Sequence, residues 1–322
     1  MTIPPWLTER LAVPAIAAPM FLVSGPDLVV ETCRGGIVGT FPALNQRSTD
    51  GFDAWCNEIE ERLDGRGAPY GVNLIVHKTN PRVSADLEIC VKHKVPIIIT
   101  SLGAVPDVVA AVHSYGGLVF HDVINRRHAE KAAAAGVDGI IAVAAGAGGH
   151  AGTISPFALL AEIRSVFDGM LILSGAMNTG RDIAAARAMG ADFAYLGTRF
   201  IATRESMASE EQKQMQVAAR AGDVLYTPAI SGVPANFMRQ SIAAAGLDPD
   251  NLPPHTEMNM NNETRAWKNV WSAGHGVGSI VDVPSTADLC RDLVAGYRTA
   301  IAELAADSFL AARGRTLAGA HA

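Results

Sequence analysis

Ile172-Leu173-Ser174-Gly175-Ala176 closes one apolar run of the chain, and Tyr195-Leu196-Gly197-Thr198-Arg199-Phe200 closes the next. Each run reads as a buried strand, with a helical segment between the two. As the last two strands of a (β/α)8 barrel, their C-terminal ends form the place where such barrels often hold a phosphate. Glycine at those ends lets backbone N–H groups come close to an anion, and a following helix start adds a favourable dipole. The expectation is a phosphorylated cofactor at this end of the fold.

Outward from these strings the same alternation repeats. Short apolar runs at 15–20, 36–40, 71–76, 95–100, 118–122, 139–145, 170–175 and 193–197 make eight candidate strands. Ala-rich amphipathic segments such as 84–93, 106–115, 126–135, 156–167 and 182–189 lie between them. Most of the runs are too continuously apolar for half-exposed antiparallel strands and suit strands covered on both faces. Ala135-Gly136-Val137-Asp138-Gly139 and Met189-Gly190-Ala191-Asp192-Phe193 are near repeats. Each places glycine where a helix end wants a left-handed cap before the next strand. Alternating β and α units allow a closed barrel or an open doubly wound sheet. Eight units, with glycine turns after the last two, favour an α/β fold of the (β/α)8 TIM-barrel type.

Beyond Phe200 the pattern changes. Residues 205–222 read as a polar helix, 223–262 as loop-rich, and 285–312 as a long amphipathic helix with a Ser or Thr cap. The expected division is a cofactor-binding barrel over 1–203 and a loop-rich and helical region near the active site over 204–284. The remaining helix, 285–322, is expected to pack back on the barrel.

Composition narrows the function. The chain has 322 residues, 49% hydrophobic and 18% charged, with a net charge of -6, enough for one large barrel with appendages. Dispersed Lys and Arg in a mildly acidic chain argue against a nucleic-acid partner. The four cysteines, Cys33, Cys56, Cys90 and Cys290, form no CxxC pair, which fits a reducing compartment and no zinc ribbon. Residues 11–24 imitate a signal-peptide core, but Glu9 and Arg10 precede them and two prolines interrupt them, so they read as a buried strand and its flanks. No uninterrupted apolar run reaches the roughly 18 residues of a membrane span. The expected location is cytoplasmic, with a small-molecule substrate; a homodimer is compatible with the sequence.

Several residues are candidates for chemistry. Ala145-Gly146-Ala147-Gly148-Gly149-His150-Ala151-Gly152 follows the sixth strand. Its glycines suit backbone lying against a flat ligand, or a histidine projecting into a barrel mouth. The alternative is a flexible loop with a solvated His150. A dinucleotide fingerprint over Gly146, Gly148 and Ala151 lacks its acidic residue at the end of the next strand. His121 and Asp122 end the fifth strand and read as polar groups that line a pocket or brace a neighbouring loop. With His128 and His150 they show no metal-ligand spacing, and no metal is expected. Asn73, inside an apolar strand, needs a partner from backbone or ligand, because an unpaired buried amide is costly. Trp271-Ser272-Ala273-Gly274-His275-Gly276-Val277-Gly278 is a second glycine-rich string with a histidine. By itself it reads equally as a turn before the last helix; His275 is kept as a pocket candidate.

Taken in order, Ala18-Pro19-Met20, Gly71-Val72-Asn73-Leu74, Gly148-Gly149-His150-Ala151-Gly152, Ser174-Gly175-Ala176, Gly197-Thr198-Arg199-Phe200 and Trp271-Ser272-Ala273-Gly274 resemble the nitronate monooxygenase family, formerly 2-nitropropane dioxygenases. These are FMN-containing barrels. The resemblance implies that Ala18, Met20 and Asn73 sit against the flavin, and that Gly175, Ala176, Gly197 and Thr198 contact its phosphate. Pro19, Gly148, Gly149 and Ser174 belong to the same cofactor-binding strings. It implies that His150 is the active-site histidine facing the reactive ring. The chain departs from better-known members at Ala18-Pro19 and Ala176, where they carry glycine, at Asp122, where some carry lysine, and at His275, where glutamine often follows the Trp-Ser-Ala-Gly string.

The activity implied is FMN-dependent oxidation of alkyl nitronates, or of nitroalkanes, with O2 as co-substrate, to a carbonyl compound and nitrite. The flavin is expected to be non-covalent. One alternative is NAD(P)H-dependent reduction of quinones or enoyl thioesters on the same scaffold; a second is a barrel that binds a phosphorylated ligand without redox chemistry. Fold does not choose among them.

Overall fold

Alternate residues along each barrel strand face different cores. In the computed structural model, which describes residues 3–103, 106–254 and 270–308, Ile97 and Ile99 join one buried cluster while Ile98 joins another. The strands are β1 (Ala15–Ala17), β2 (Gly39–Pro42), β3 (Tyr70–Ile75), β4 (Ile97–Ser101), β5 (Leu118–Val123), β6 (Gly139–Val143), β7 (Gly149–His150), β8 (Met170–Ser174) and β9 (Phe193–Leu196). All but β7 form one parallel sheet in the order β1-β9-β8-β6-β5-β4-β3-β2. A parallel bridge between Ile16 and Val38 joins its two ends, so the sheet closes as a barrel.

Ile16, Val38, Ile97, Ile99, Phe120, Ile141, Ile172 and Phe193 fill the barrel interior, with Leu7 of the short helix α1 (Pro5–Thr8) packed into the same cluster. The outward set, including Val72, Ile98, Val119, Ile140 and Leu171, packs on helices. Burial on both faces explains why the runs lack polar alternation, and each such side chain contributes roughly 1.5–3 kcal/mol.

The outer helices are α2 (Pro26–Arg34), α3 (Thr49–Leu63), α4 (Val83–Lys92), α5 (Pro106–His113), α6 (Arg126–Ala134), α7 (Pro156–Arg164) and α8 (Gly180–Ala188). Their starts carry local signals. Ser48 and Asn125 accept from Gly51 and His128 N–H, and Thr179 with Asp182 forms a reciprocal cap.

Boundaries differ from expectation at two strands. Run 36–40 becomes a strand only from Gly39, because Gly36 takes φ +77 in the turn after α2. Run 15–20 leaves the ladder after Ala17, and Leu22 beyond it sits at φ 60.

The C-terminal third holds more regular structure than its composition suggests. After α9 (Thr198–Ile201), the expected helix 205–222 shortens to α10 (Glu210–Ala218), capped by Ser209. The stretch expected to be loop-rich contains β10 (Val224–Thr227), β11 (Ala235–Met238) and α11 (Arg239–Ala244). β10 pairs antiparallel with β11, and β11 with β7, so His150 lies opposite Ala235 and Gly149 opposite Asn236. Short strands in a polar, proline-containing stretch give little periodicity, and their pairing partner lies far away in sequence.

The last described helix, α12 (Thr286–Ala305), is capped by Ser285 and packs on α8; the end of the expected helix, from residue 309, lies outside the described residues. Gly180 permits this packing: a Cβ there would lie 2.2 Å from Tyr297 N and 2.3 Å from the Leu293 carbonyl oxygen. No helix among the described residues is long and apolar enough to cross a membrane.

Candidate active site

The C-terminal ends of the barrel strands open into one cavity of about 660 Å³, within the range of small-molecule and cofactor sites. Ala18, Pro19 and Met20 line it from the end of β1, Asn73 from β3, and His121 and Asp122 from β5. Gly148, Gly149 and His150 line it from the loop after β6; Ser174, Gly175 and Ala176 from β8; and Gly197 and Thr198 from β9. Strings spread over about 180 residues of sequence thus share one wall system. His275 is the exception. It is exposed and is not among the lining residues, whereas its neighbours Gly274 and Gly276 are. His275 N–H donates to the Gly146 carbonyl at 2.9 Å as a 3-10 turn begins there.

Asn73 finds its partners within the barrel. Its amide nitrogen donates to the Ile99 carbonyl at 3.1 Å and to Ser101 Oγ at 2.8 Å. Ser101 Oγ in turn donates to Asp122 Oδ2 at 2.6 Å. Three adjacent strands therefore carry one directed chain of hydrogen bonds that ends on a carboxylate. Oδ1 of Asp122 is buried with no hydrogen-bond partner. Burial pushes the carboxyl up to about 6, against the Ser101 bond and the proximity of His150, which both pull it down. Tyr195, also on the cavity wall, is pushed well above the usual phenol range by burial and by Asp122.

His121 has a different environment from its neighbour. Its Nδ1 is 2.8 Å from Thr100 Oγ1, and burial lowers its imidazole to about 4, with Thr100 opposing and His128 assisting. At neutral pH His121 is uncharged and hydrogen-bonded.

The wall around His150 is built by residues distant in sequence. Ser272 Oγ accepts from Gly149 N–H at 2.6 Å and donates to the Asn236 carbonyl. Asn236 Nδ2 donates to the Ala147 carbonyl at 2.6 Å, and Tyr226 OH to the Ala151 carbonyl at 3.0 Å. The 272–276 segment also fastens the β9 turn: Gly274 N–H donates to Thr198 Oγ1 at 2.8 Å. Ala176, with φ 54, holds a left-handed conformation between these turns, at a cost of roughly 1–2 kcal/mol for a residue with a Cβ.

Sequence reading alone did not single out Ser101, Tyr195, Gln212 or Tyr226 as lining residues. Ser101 follows the expected end of the fourth strand by one residue, which is the available signal. Gln212 and Tyr226 reach the cavity from α10 and β10, whose positions are tertiary. Thiol chemistry has no support here: all four cysteines are buried, and burial pushes Cys33 and Cys290 up to about 12.

A closed parallel barrel with polar groups gathered at its C-terminal mouth is the architecture of a TIM-barrel enzyme. The family model for nitronate monooxygenases matches residues 79–296; the chain belongs to that family of oxidoreductases. A nitronate monooxygenase of Paraburkholderia phytofirmans is 28% identical over 290 residues, covering 76% of this chain and 78% of that one. A (3aS,4S,5R,7aS)-5-hydroxy-7a-methyl-1-oxo-octahydro-1H-indene-4-carboxyl-CoA dehydrogenase of Rhodococcus jostii is 27% identical over 238 residues. That match spans 73% of this chain and 66% of the relative. A nitroalkane oxidase of Streptomyces ansochromogenes, solved crystallographically, superposes with a TM-score of 0.77 at 24% identity, covering 92% of this chain and 99% of that one. This last likeness speaks for the fold.

Proposed function

We propose that this chain oxidises alkyl nitronates, or the nitroalkanes from which they form, with O2 to a carbonyl compound and nitrite, using non-covalently bound FMN in the cytoplasm. The observation that carries the reading is the shared lining of one cavity by Asn73, His150 and the backbones at Gly175–Ala176 and Gly197–Thr198. The residues fit the cofactor. A Cβ at Gly197 would lie 3.6 Å from Ala18 Cβ and 3.8 Å from Met20 Sδ, so glycine keeps open the space between the ends of β1 and β9. Gly175, Ala176, Gly197 and Thr198 hold the phosphate, while Ala18, Met20 and Asn73 border the ring system. The four buried, unpaired thiols suit a reducing compartment.

Bound FMN supplies the electron-accepting chemistry; the chain supplies binding, orientation and proton handling. For a neutral nitroalkane, His150 takes the α-proton, and the C–H electron pair passes into the nitro group to leave the nitronate. Histidine is the side chain that most often serves as a general acid or base. For a preformed nitronate, the same ring orients the anion.

A second reading is reduction of quinones or enoyl thioesters by NAD(P)H, favoured by the match to a CoA-thioester dehydrogenase and by a predominantly apolar cavity wall. One experiment separates them. The purified protein is titrated anaerobically with NADH, NADPH and a nitronate in parallel. Bleaching of the flavin by the nitronate alone supports the oxidase; bleaching by a nicotinamide alone supports the reductase. A protein that stays colourless with added FMN refutes both.

A further inference from the structure

The inward row of the barrel turns polar on four strands where it reaches the cavity. On β4, Ile99 gives way two residues on to Ser101; on β5, Phe120 to Asp122; on β8, Ile172 to Ser174; on β9, Phe193 to Tyr195. Successive strand residues face opposite sides, so each polar member stands on the same side as the apolar one below it. Ser101 and Asp122 bond to one another across the ladder. Tyr195 is placed differently. It sits in register between Ile16 of β1 and Ser174 of β8, and packs in the interior cluster with Ile16 and Phe193.

Only 8% of Tyr195 is exposed, yet it lines the cavity, and its hydroxyl has no hydrogen-bond partner among the described residues. A buried phenol ordinarily finds one. A phenylalanine ring would fill the interior equally well, so the hydroxyl is the part that the core leaves unused. Its partner comes from what fills the cavity. Burial and Asp122 push the phenol well above its usual range, so the group keeps its proton and acts as a donor. The matching ligand atom is an acceptor, either a carbonyl oxygen or an unprotonated ring nitrogen. The flavin ring system carries both kinds.

We propose that Tyr195 contacts the cofactor: its hydroxyl donates a hydrogen bond from the cavity floor to an acceptor atom of the flavin ring and favours the reduced, more electron-rich form of that ring. The inference rests on the reading that FMN occupies this cavity, with Ala18 and Asn73 beside the ring. Ala18 follows Ile16, the ladder partner of Tyr195, by two residues and lines the cavity above it. A hydrogen bond to an acceptor that gains negative charge becomes about twice as strong, so the reduced form benefits more than the oxidised one. The cofactor's phosphate is the competing acceptor, because the turn at Gly197–Thr198 begins two residues beyond Tyr195.

Tyr195→Phe removes the hydroxyl and keeps the ring. The full chain, wild type and variant, is loaded with FMN or with riboflavin, which has the same ring and no phosphate. Dissociation constants come from flavin fluorescence, and the two-electron potential of the FMN-loaded protein from equilibration with a reference dye at pH 8. The variant is expected to bind both flavins more weakly by the same factor, about three- to tenfold, the usual net worth of one hydrogen bond. Its reduction is expected to become less favourable by a similar factor, which lowers the potential by about 15–30 mV.

A riboflavin affinity within twofold of wild type, or an unmoved potential, overturns the proposal. Weaker binding of FMN with riboflavin unaffected also overturns it and gives the hydroxyl to the phosphate. Lower thermal stability with an unmoved potential marks a structural role alone. A wild type that takes up neither flavin refutes the cofactor reading and this inference together. A protein that shows the expected shifts yet leaves nitronates unoxidised keeps the inference and discards the oxidase reading.

Discussion

Ser101 Oγ donates a 2.6 Å hydrogen bond to Asp122 Oδ2 across the adjacent strands β4 and β5, while accepting one of 2.8 Å from Asn73 Nδ2 on β3. The direction of both bonds is fixed, because Ser has a single hydroxyl hydrogen and the Asn amide nitrogen can only donate. The chain therefore orients Asp122 in the mouth of the barrel, beside a histidine of opposite tendency. His121 and Asp122 are consecutive, and burial lowers the first to about 4 while raising the second to about 6.

That pair predicts a pH dependence of stability. Asp122 binds its proton more tightly when folded than when unfolded, so its contribution is fully present below the ordinary carboxylate range and is lost as pH rises through about 6. His121 is depressed, so its contribution is present above the ordinary imidazole range and is lost as pH falls towards about 4. Between about pH 4 and 6 the two oppose one another. Asp122→Asn should be more stable than wild type at pH 7.5, by an amount on the order of 2 kcal/mol, and little different at pH 4. Its loss of stability on acidification should be steeper. Urea unfolding at several pH values measures this, and an equal difference at both ends contradicts it.

His150→Asn tests the proton-transfer role. If His150 takes the α-proton, turnover of neutral nitroalkanes should fall by about 10²–10⁴-fold, the usual contribution of a general base. Preformed nitronates have no such proton to lose and should be affected less. A parallel and smaller loss on both forms would mark an orienting role. Wild-type rates on both, with full flavin content, would remove His150 from the mechanism.

Gly197 and Thr198 should respond differently to substitution. Gly197 has φ -107, which any residue can adopt, and a Cβ there meets only ordinary contacts. Gly197→Val should therefore fold but lose flavin if, as proposed, the cofactor occupies the space its branches would enter. Thr198→Ala removes the acceptor of the buried Gly274 N–H and should cost about 1–3 kcal/mol of stability, with a smaller effect on flavin content. Thermal unfolding and released-flavin chromatography on both variants decide; the opposite pattern would move the phosphate elsewhere.

Gly180→Ala should destabilise the contact between α8 and α12. The added Cβ would stand 2.2 Å from a backbone nitrogen and 2.3 Å from a backbone oxygen, so no side-chain rotation relieves it. Forcing the helices apart typically costs 1–3 kcal/mol. Flavin content should be unaffected if the helix pair only supports the barrel wall. A variant as stable as wild type would show that α12 packs differently.

Eight buried strands, their intervening helices and the glycine turns at 175 and 197 are legible in the sequence because they depend on local rules. A strand buried on both faces must be apolar throughout, as at Ile97-Ile98-Ile99, and a helix must be started and ended by residues that satisfy its free backbone groups. The strings around Asn73, His150 and Thr198 stood out for the same reason, since polar or glycine residues interrupt an otherwise apolar pattern. The tertiary structure decided what these residues meet. Asn73 finds Ser101 and Asp122 only because β3, β4 and β5 lie side by side. His150 enters a three-stranded sheet only because β11, some 85 residues later, pairs with it. His275 is exposed and stays off the cavity wall, while its backbone N–H bonds the Gly146 carbonyl, 129 residues earlier in the chain. Such partnerships follow from distances between segments remote in the chain, and no periodicity records them.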